Sequence, residues 1–181
     1  MNAMKYAVAA SLLAAAPLAA AQQLSIATGG TGGTYYPLGG GLAEMINSHI
    51  EGASAVAEVT GASVENMGLV WRGDSDIAFA LADTVYQAYH GTGDFEGRQL
   101  DNIRALASVY PNAVQLVTLA DSGIESLEDL RGKRVSVGAP GSGTELNARA
   151  VLEANGISYD DFTPQRLNFN ETADAIRDGL T

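Results

Sequence analysis

Short apolar runs alternate with amphipathic stretches along most of this chain, which predicts an α/β fold with a largely parallel sheet. Leu24-Ser25-Ile26-Ala27 opens the first strand, over 24–28. Leu38, Leu42, Met45, Ile46 and His49 then recur at helical spacing, so 35–50 is predicted as a helix with His49 on its apolar face. Thr34 stands at its N-cap position, and Pro37 is tolerated in its first turn. A strand is predicted over 55–59 and a helix over 64–72, with Ser63 as cap and Gly73 as stop. Residues 77–81 are apolar almost throughout, as in a strand covered on both faces. Asp83 then caps a helix running to about His90, and the polar stretch 91–99 reads as a surface loop.

Two β-rich runs follow, 103–109 and 113–119, separated by Tyr110-Pro111-Asn112. Their pairing, and the change of pattern after them, place a lobe boundary near 110–122, giving a first lobe over 22–118 and a second over 119–181. Ser126-Leu127-Glu128-Asp129 is a capping-box pattern on a short helix stopped by Gly132. A strand over 135–138 leads to Ser142-Gly143-Thr144-Glu145, a further capping box opening a helix to Ala154 that Gly156 ends. Residues 165–169 are predicted as a strand, and Asn170 caps a last helix over 171–178. The alternation calls for another strand beyond Thr181, so the second lobe is expected to be incomplete.

At the start, Lys5, the apolar stretch 6–16, Pro17 and Ala19-Ala20-Ala21 form the pattern of a secretory signal peptide, with cleavage expected after Ala21. The stretch falls short of the roughly 20 apolar residues that a membrane span needs, so no membrane insertion of the mature chain is expected. The formal net charge of −11 argues against nucleic acid as a partner, since no basic stripe exists to neutralise phosphates. Cysteine is absent, which excludes thiol catalysis and thiolate-bound metal.

The candidate chemistry sits in two glycine turns, each placed between a strand and a helix. The first runs through Gly29, Gly30, Thr31, Gly32, Gly33 and Thr34, and the second through Gly138, Gly141, Ser142, Gly143 and Thr144. A helix start carries unpaired N–H groups and roughly half a positive charge, so it binds carboxylate or phosphate without a basic side chain. Two such turns about a hundred residues apart point to a small anionic solute gripped between two lobes. The first turn is no Walker loop, because no Gly-Lys-Ser/Thr follows it, and Tyr35 stands where a dinucleotide fingerprint needs its third glycine. Tyr35 and Tyr36 follow directly, one to pack inward and one to wall the ligand, in an order the sequence leaves open. Asn66 is placed to offer an amide to the pocket, with solvent exposure as the plain alternative. Asp83 and Thr84 lie at the C-terminal edge of the sheet, where open α/β folds bind ligands, or else serve the helix start.

Catalytic chemistry finds less support. Ser142 lies in no G-x-S-x-G elbow, and neither His49 nor His90 has a carboxylate partner at a recognisable spacing. The pairs Asp74/Asp76, Asp94/Glu96 and Asp160/Asp161 are too sparse for a calcium site. No metal and no cofactor is called for. An exported enzyme sharing the same architecture and a ligand-sensing domain remain the alternatives.

The segment Thr28-Gly29-Gly30-Thr31-Gly32-Gly33-Thr34-Tyr35-Tyr36-Pro37-Leu38-Gly39-Gly40-Gly41 resembles the N-terminal signature of the TAXI family, the solute-binding subunits of one class of TRAP transporter. Residues 125–138 and the Gly141-Ser142-Gly143-Thr144-Glu145 turn resemble the start of its second lobe. The resemblance implies a two-lobed periplasmic-binding-protein fold of the Venus-flytrap type (type II-like). It also implies a ligand in the cleft, typically glutamate or a related dicarboxylate, hinge closure, and delivery to TRAP transporter membrane subunits. Family members are longer than this chain.

Overall fold

The computed structural model describes residues 22–181; the expected signal peptide, 1–21, lies outside the described residues. Two parallel sheets organise the chain. The first has the order β2-β1-β3, built from β1 (Gln22–Ala27), β2 (Ala53–Glu58) and β3 (Ile77–Ala78). Its helices are α1 (Tyr35–His49), α2 (Ser63–Arg72) and α3 (Ala82–His90). The second sheet pairs β4 (Arg134–Ser136) with β5 (Thr163–Gln165), followed by helices α4 (Gly143–Ala154) and α5 (Phe169–Arg177).

Helix α1 packs on β1 and β2 through a face one step away from the expected one. Gly39, Ala43 and Ile46 are buried, whereas Met45 and His49 are exposed. Glycine at 39 decides this rotation, because a Cβ there would overlap the Thr28 methyl group, and the helix therefore seats its glycine face on the sheet. His49 is not a core residue; its Nδ1 lies 3.0 Å from the Met45 carbonyl oxygen at the exposed helix end.

The stretch 91–99 departs from a plain surface loop. A short turn over Gly93–Phe95 drives Phe95 into a core with Met67, Ala88, Leu100 and Ile103, and Phe95 is 1% exposed. The runs 103–109 and 113–119 depart further, forming no strand among the described residues, with Leu106 80% and Val117 72% exposed. Alternation specifies the two faces of a strand, whereas a ladder also needs a partner edge in register, and none lies beside these runs. In the second sheet, Leu130, Val137, Leu152, Ile157 and Phe162 form a separate core. The last helix starts two residues earlier than expected, because Asn168 rather than Asn170 caps it in a reciprocal capping box with Glu171.

One side chain ties the first sheet together. Asn66 is fully buried, and its Nδ2 donates to the carbonyl oxygens of Thr28 at 2.7 Å and Phe79 at 2.8 Å. Its Oδ1 accepts the Thr60 hydroxyl proton at 2.7 Å. Those three partners lie just beyond β1, β3 and β2, so a single amide pins the exits of all three strands. Asn66 is therefore a structural clamp and not a free amide in a pocket, which corrects the expectation from sequence. Replacing it by leucine orphans two buried carbonyls and a hydroxyl. Asn66→Leu is expected to cost about 2–4 kcal/mol, read as a lower urea midpoint; a loss below about 0.5 kcal/mol would refute the clamp.

Candidate functional site

Because each sheet is parallel, the C-terminal ends of its strands share one edge, where open α/β sheets leave a crevice. A cavity of about 120 Å³ lies there. After β1 it is bordered by Gly29, Gly30, Gly33, Thr34 and Tyr35, and at the start of α2 by Ala62 and Ser63. Leu81 borders it beyond β3, and Gly143 and Thr144 border it at the start of α4. Tyr110, Asn112 and Phe169 complete the wall. Both glycine turns thus reach one small space.

The turns also interlock with the opposite half. The Gly141 carbonyl oxygen accepts the N–H groups of Val64 at 3.0 Å and Glu65 at 3.1 Å, capping α2 from the other sheet. Ser63 is consequently not the cap; it is the first helical residue, and its Oγ accepts the Leu81 N–H at 3.1 Å. The cap position belongs to Ala62, held at φ +80°, a conformation that costs a non-glycine residue roughly 1–3 kcal/mol. A Cβ on Gly143 would stand 2.5 Å from Leu81 Cδ1 and 2.8 Å from Ser63 Oγ. A Cβ on Gly33 would stand 3.3 Å from the Phe169 ring, and one on Gly32 would overlap the Asn170 amide. An Arg149–Asp94 ion pair at 3.0 Å adds a bridge between the halves, contributing at most about 1 kcal/mol because both groups remain partly exposed.

Not one side chain on the cavity wall carries a formal charge at neutral pH. Helix N-termini stand there instead: α1, α2, α4 and α5 all begin on the wall, at Tyr35, Ser63, Gly143 and Phe169, with the first amides of α2 already taken by Gly141. Thr34 adopts helical dihedrals and makes no side-chain cap bond, unlike the cap expected of it. Ser142 does cap α4, accepting the Glu145 N–H at 3.1 Å, and that bond leaves the amides of Gly143 and Thr144 outside it. Burial pushes the Tyr35 phenol above its ordinary value of 10.0. The nearby Ser63 and Asn112 side chains pull the other way, while Tyr110 and Asp83 push it further up. The phenol therefore stays protonated at neutral pH and remains a donor.

The structure separates the two tyrosines: Tyr35 walls the cavity and Tyr36 points outward, 37% exposed. Thr31 and Gly32 are exposed and stand off the wall. Thr84 is fully buried and lies on the wall neither of this cavity nor of the larger groove beside it, so it is a packing residue. Asp83 is the second residue of α3 rather than its cap, which belongs to Leu81, and it faces a larger groove of about 840 Å³. That groove follows the unpaired run 103–112 and shares Tyr35, Leu81, Tyr110 and Asn112 with the small cavity. It holds neither glycine turn, and its size comes from the open flank of a run that joins no sheet.

Sequence reading missed Ala62, Leu81, Tyr110, Asn112 and Phe169, and assigned Ser63 only to capping. The Tyr110-Pro111-Asn112 break between two apolar runs was the available signal for the middle pair, since polar and aromatic residues at a turn often face a site. Phe169 was hidden inside a predicted strand, and nothing local marked it.

Similarity to known proteins agrees with this architecture. The alkanesulfonate-binding protein SsuA from Xanthomonas axonopodis pv. citri, solved bound to MOPS, matches with a TM-score of 0.55 and 16% identity, over 88% of this chain and 52% of that one. The periplasmic aliphatic sulphonate binding protein SsuA from Escherichia coli matches with a TM-score of 0.47 and 14% identity, over 87% of this chain and 48% of that one. The chain therefore spans about half the length of these binding proteins, and the first likeness shows the α/β fold of periplasmic binding proteins. With residues 26–181 matching its sequence profile, the chain belongs to the NMT1-like family.

Proposed function

We propose that this chain is the solute-binding part of a periplasmic receptor that holds a small carboxylate between two lobes, 22–118 and 119–181. The observation that carries this reading is the meeting of two glycine turns and four helix starts around one uncharged cavity. Amides of Gly30, Thr34, Gly143 and Thr144 would hold the carboxylate oxygens, with the Tyr35 hydroxyl as a further donor; the Gly33 amide is spent within the turn, donating to the Gly30 carbonyl oxygen at 3.0 Å. Thr31 and Gly32 would shape the first turn from outside, and hinge closure about 110–120 would bury the guest. Uncharged walls favour binding over catalysis, since no acid–base pair faces the space. The neighbours are described as binding sulfonates; a sulfonate offers the same charge and similar oxygen acceptors, so it belongs in any test. Delivery to TRAP-type membrane subunits rests on the TAXI-like segments at 28–41, 125–138 and 141–145. Among the described residues no helix is long and apolar enough to cross a membrane.

Calorimetry of the purified chain against acetate, benzoate, succinate, glutamate and alkanesulfonates is expected to give saturable binding of at least one carboxylate; a flat response to every one defeats this reading. Gly143→Ala places a methyl group against Leu81 and Ser63 and forces the halves apart, so it should weaken that binding about tenfold. Unchanged affinity in this variant would place the guest elsewhere. Affinity should be level between about pH 6 and 9, because Tyr35 keeps its proton there, and should fall above pH 10.0 as the phenol ionises. A drop centred between pH 6 and 8 would show that a histidine, and not this wall, governs binding.

A further inference from the structure

Resting on that reading, the wall also discriminates among anions. Three of its thirteen residues, Tyr35, Tyr110 and Phe169, are aromatic, against 7% of the chain. Tyr35 and Tyr110 meet edge to face, with ring centroids 6.4 Å apart and an interplanar angle of 65°. Phe169 lies over Gly33, close enough to touch any atom added there. These rings come from three separate places: the first helix, the Tyr110-Pro111-Asn112 break and the start of α5. Their convergence on the space that holds the helix starts is a property of the fold and not of local sequence.

We propose that the guest is a monoanion bearing one compact, flat apolar ring, such as an aromatic monocarboxylate, rather than a dicarboxylate or an amino acid. Three features lead there. The cavity, about 120 Å³, is of the order of the roughly 150 Å³ apolar cavity that admits benzene. It carries no carboxylate to pair an ammonium group, and a buried unpaired ammonium is costly. Nor does it carry a basic side chain to receive a second carboxylate, while the nearby Asp83 charge repels one. What remains opposite the amides is aromatic surface, which favours offset or edge-on contact with a flat ring over contact with a puckered one.

The test uses benzoate, cyclohexanecarboxylate, succinate and glutamate with the full chain, by calorimetry or competition. Benzoate should bind at least about tenfold more tightly than succinate and glutamate, and about threefold or more tightly than cyclohexanecarboxylate. Tyr110→Leu and Phe169→Ala should each reduce benzoate affinity about three- to tenfold and shrink its lead over cyclohexanecarboxylate. Both side chains are substantially exposed, at 37% and 57%, so an unchanged thermal midpoint should accompany these losses. Tighter binding of succinate or glutamate than of benzoate overturns the ring preference and leaves the receptor standing. Equal binding of benzoate and cyclohexanecarboxylate overturns it as well. Failure of all four to bind removes the receptor and the preference together.

Discussion

A crevice at the edge of a parallel sheet exists only if the strands end together, and here one asparagine enforces that. The Asn66 amide reaches past β1, β2 and β3 at once, and no apolar residue of its size could satisfy Thr28, Phe79 and Thr60. The chain leaving β1 is thereby fixed where the first glycine turn begins, and the chain leaving β2 is fixed where Ala62 takes its strained conformation. The Thr60 hydroxyl passes the constraint on, accepting the Ala62 N–H at 3.0 Å while it donates to Asn66. Strain at Ala62 persists because its neighbours on both sides are held. From that held loop, α2 points its first amides at the second sheet.

The second sheet answers with Gly141, whose carbonyl oxygen takes two of those amides. A cap borrowed from across the molecule makes the distance between the halves part of the helix's own hydrogen bonding. Separation of the halves would return the Val64 and Glu65 N–H groups to water, exchanging one set of hydrogen bonds for another at small net cost. Such an interface suits a device that opens and closes: it has defined geometry, few apolar contacts and one partly exposed ion pair. Gly143 and Gly33 allow the approach by offering no Cβ. Under the proposed reading Gly143 serves two ends, since the bareness that admits the opposite half also leaves its main-chain amide open to a guest.

Element type was legible wherever periodicity and caps spoke together. Helices α1, α2 and α4 begin and end within a residue or so of expectation, and the Ser126 capping box forms as read; at Ser142 only the cap bond to the Glu145 N–H forms, because the Glu145 carboxylate turns to Arg166 instead. Rotation of α1 was not legible, because a glycine at 39 counts for nothing in a hydrophobic stripe yet decides the contact with Thr28. The runs 103–109 and 113–119 looked like strands because faces are written in the sequence and partners are not. Asn66 drew attention as an amide early in its helix, where core packing would want an apolar residue, but its buried role followed from strand ends that only folding brings together. At the site, the two turns were visible as glycine clusters. The aromatic wall was not, since its members are scattered over some 130 positions and acquire meaning only side by side.

For the proposed anionic guest, a chain of net charge −11 is an unpromising host, and the physical resolution lies in distance. At physiological ionic strength the Debye length is about 8 Å, so most surface carboxylates are screened from the cavity. Helix starts act at hydrogen-bonding contact and within their first turn, in a recess where the effective dielectric is lower than in water. Near field therefore outweighs net charge. Main-chain amides differ from a lysine or arginine in two further ways: they cannot be neutralised by a change of pH, and their unoccupied state carries no buried formal charge needing a counter-ion. They are also indifferent to which oxyanion they hold, whether carboxylate or sulfonate. Discrimination must then come from whatever surrounds the amides, and in this cavity that is the ring surface of Tyr35, Tyr110 and Phe169.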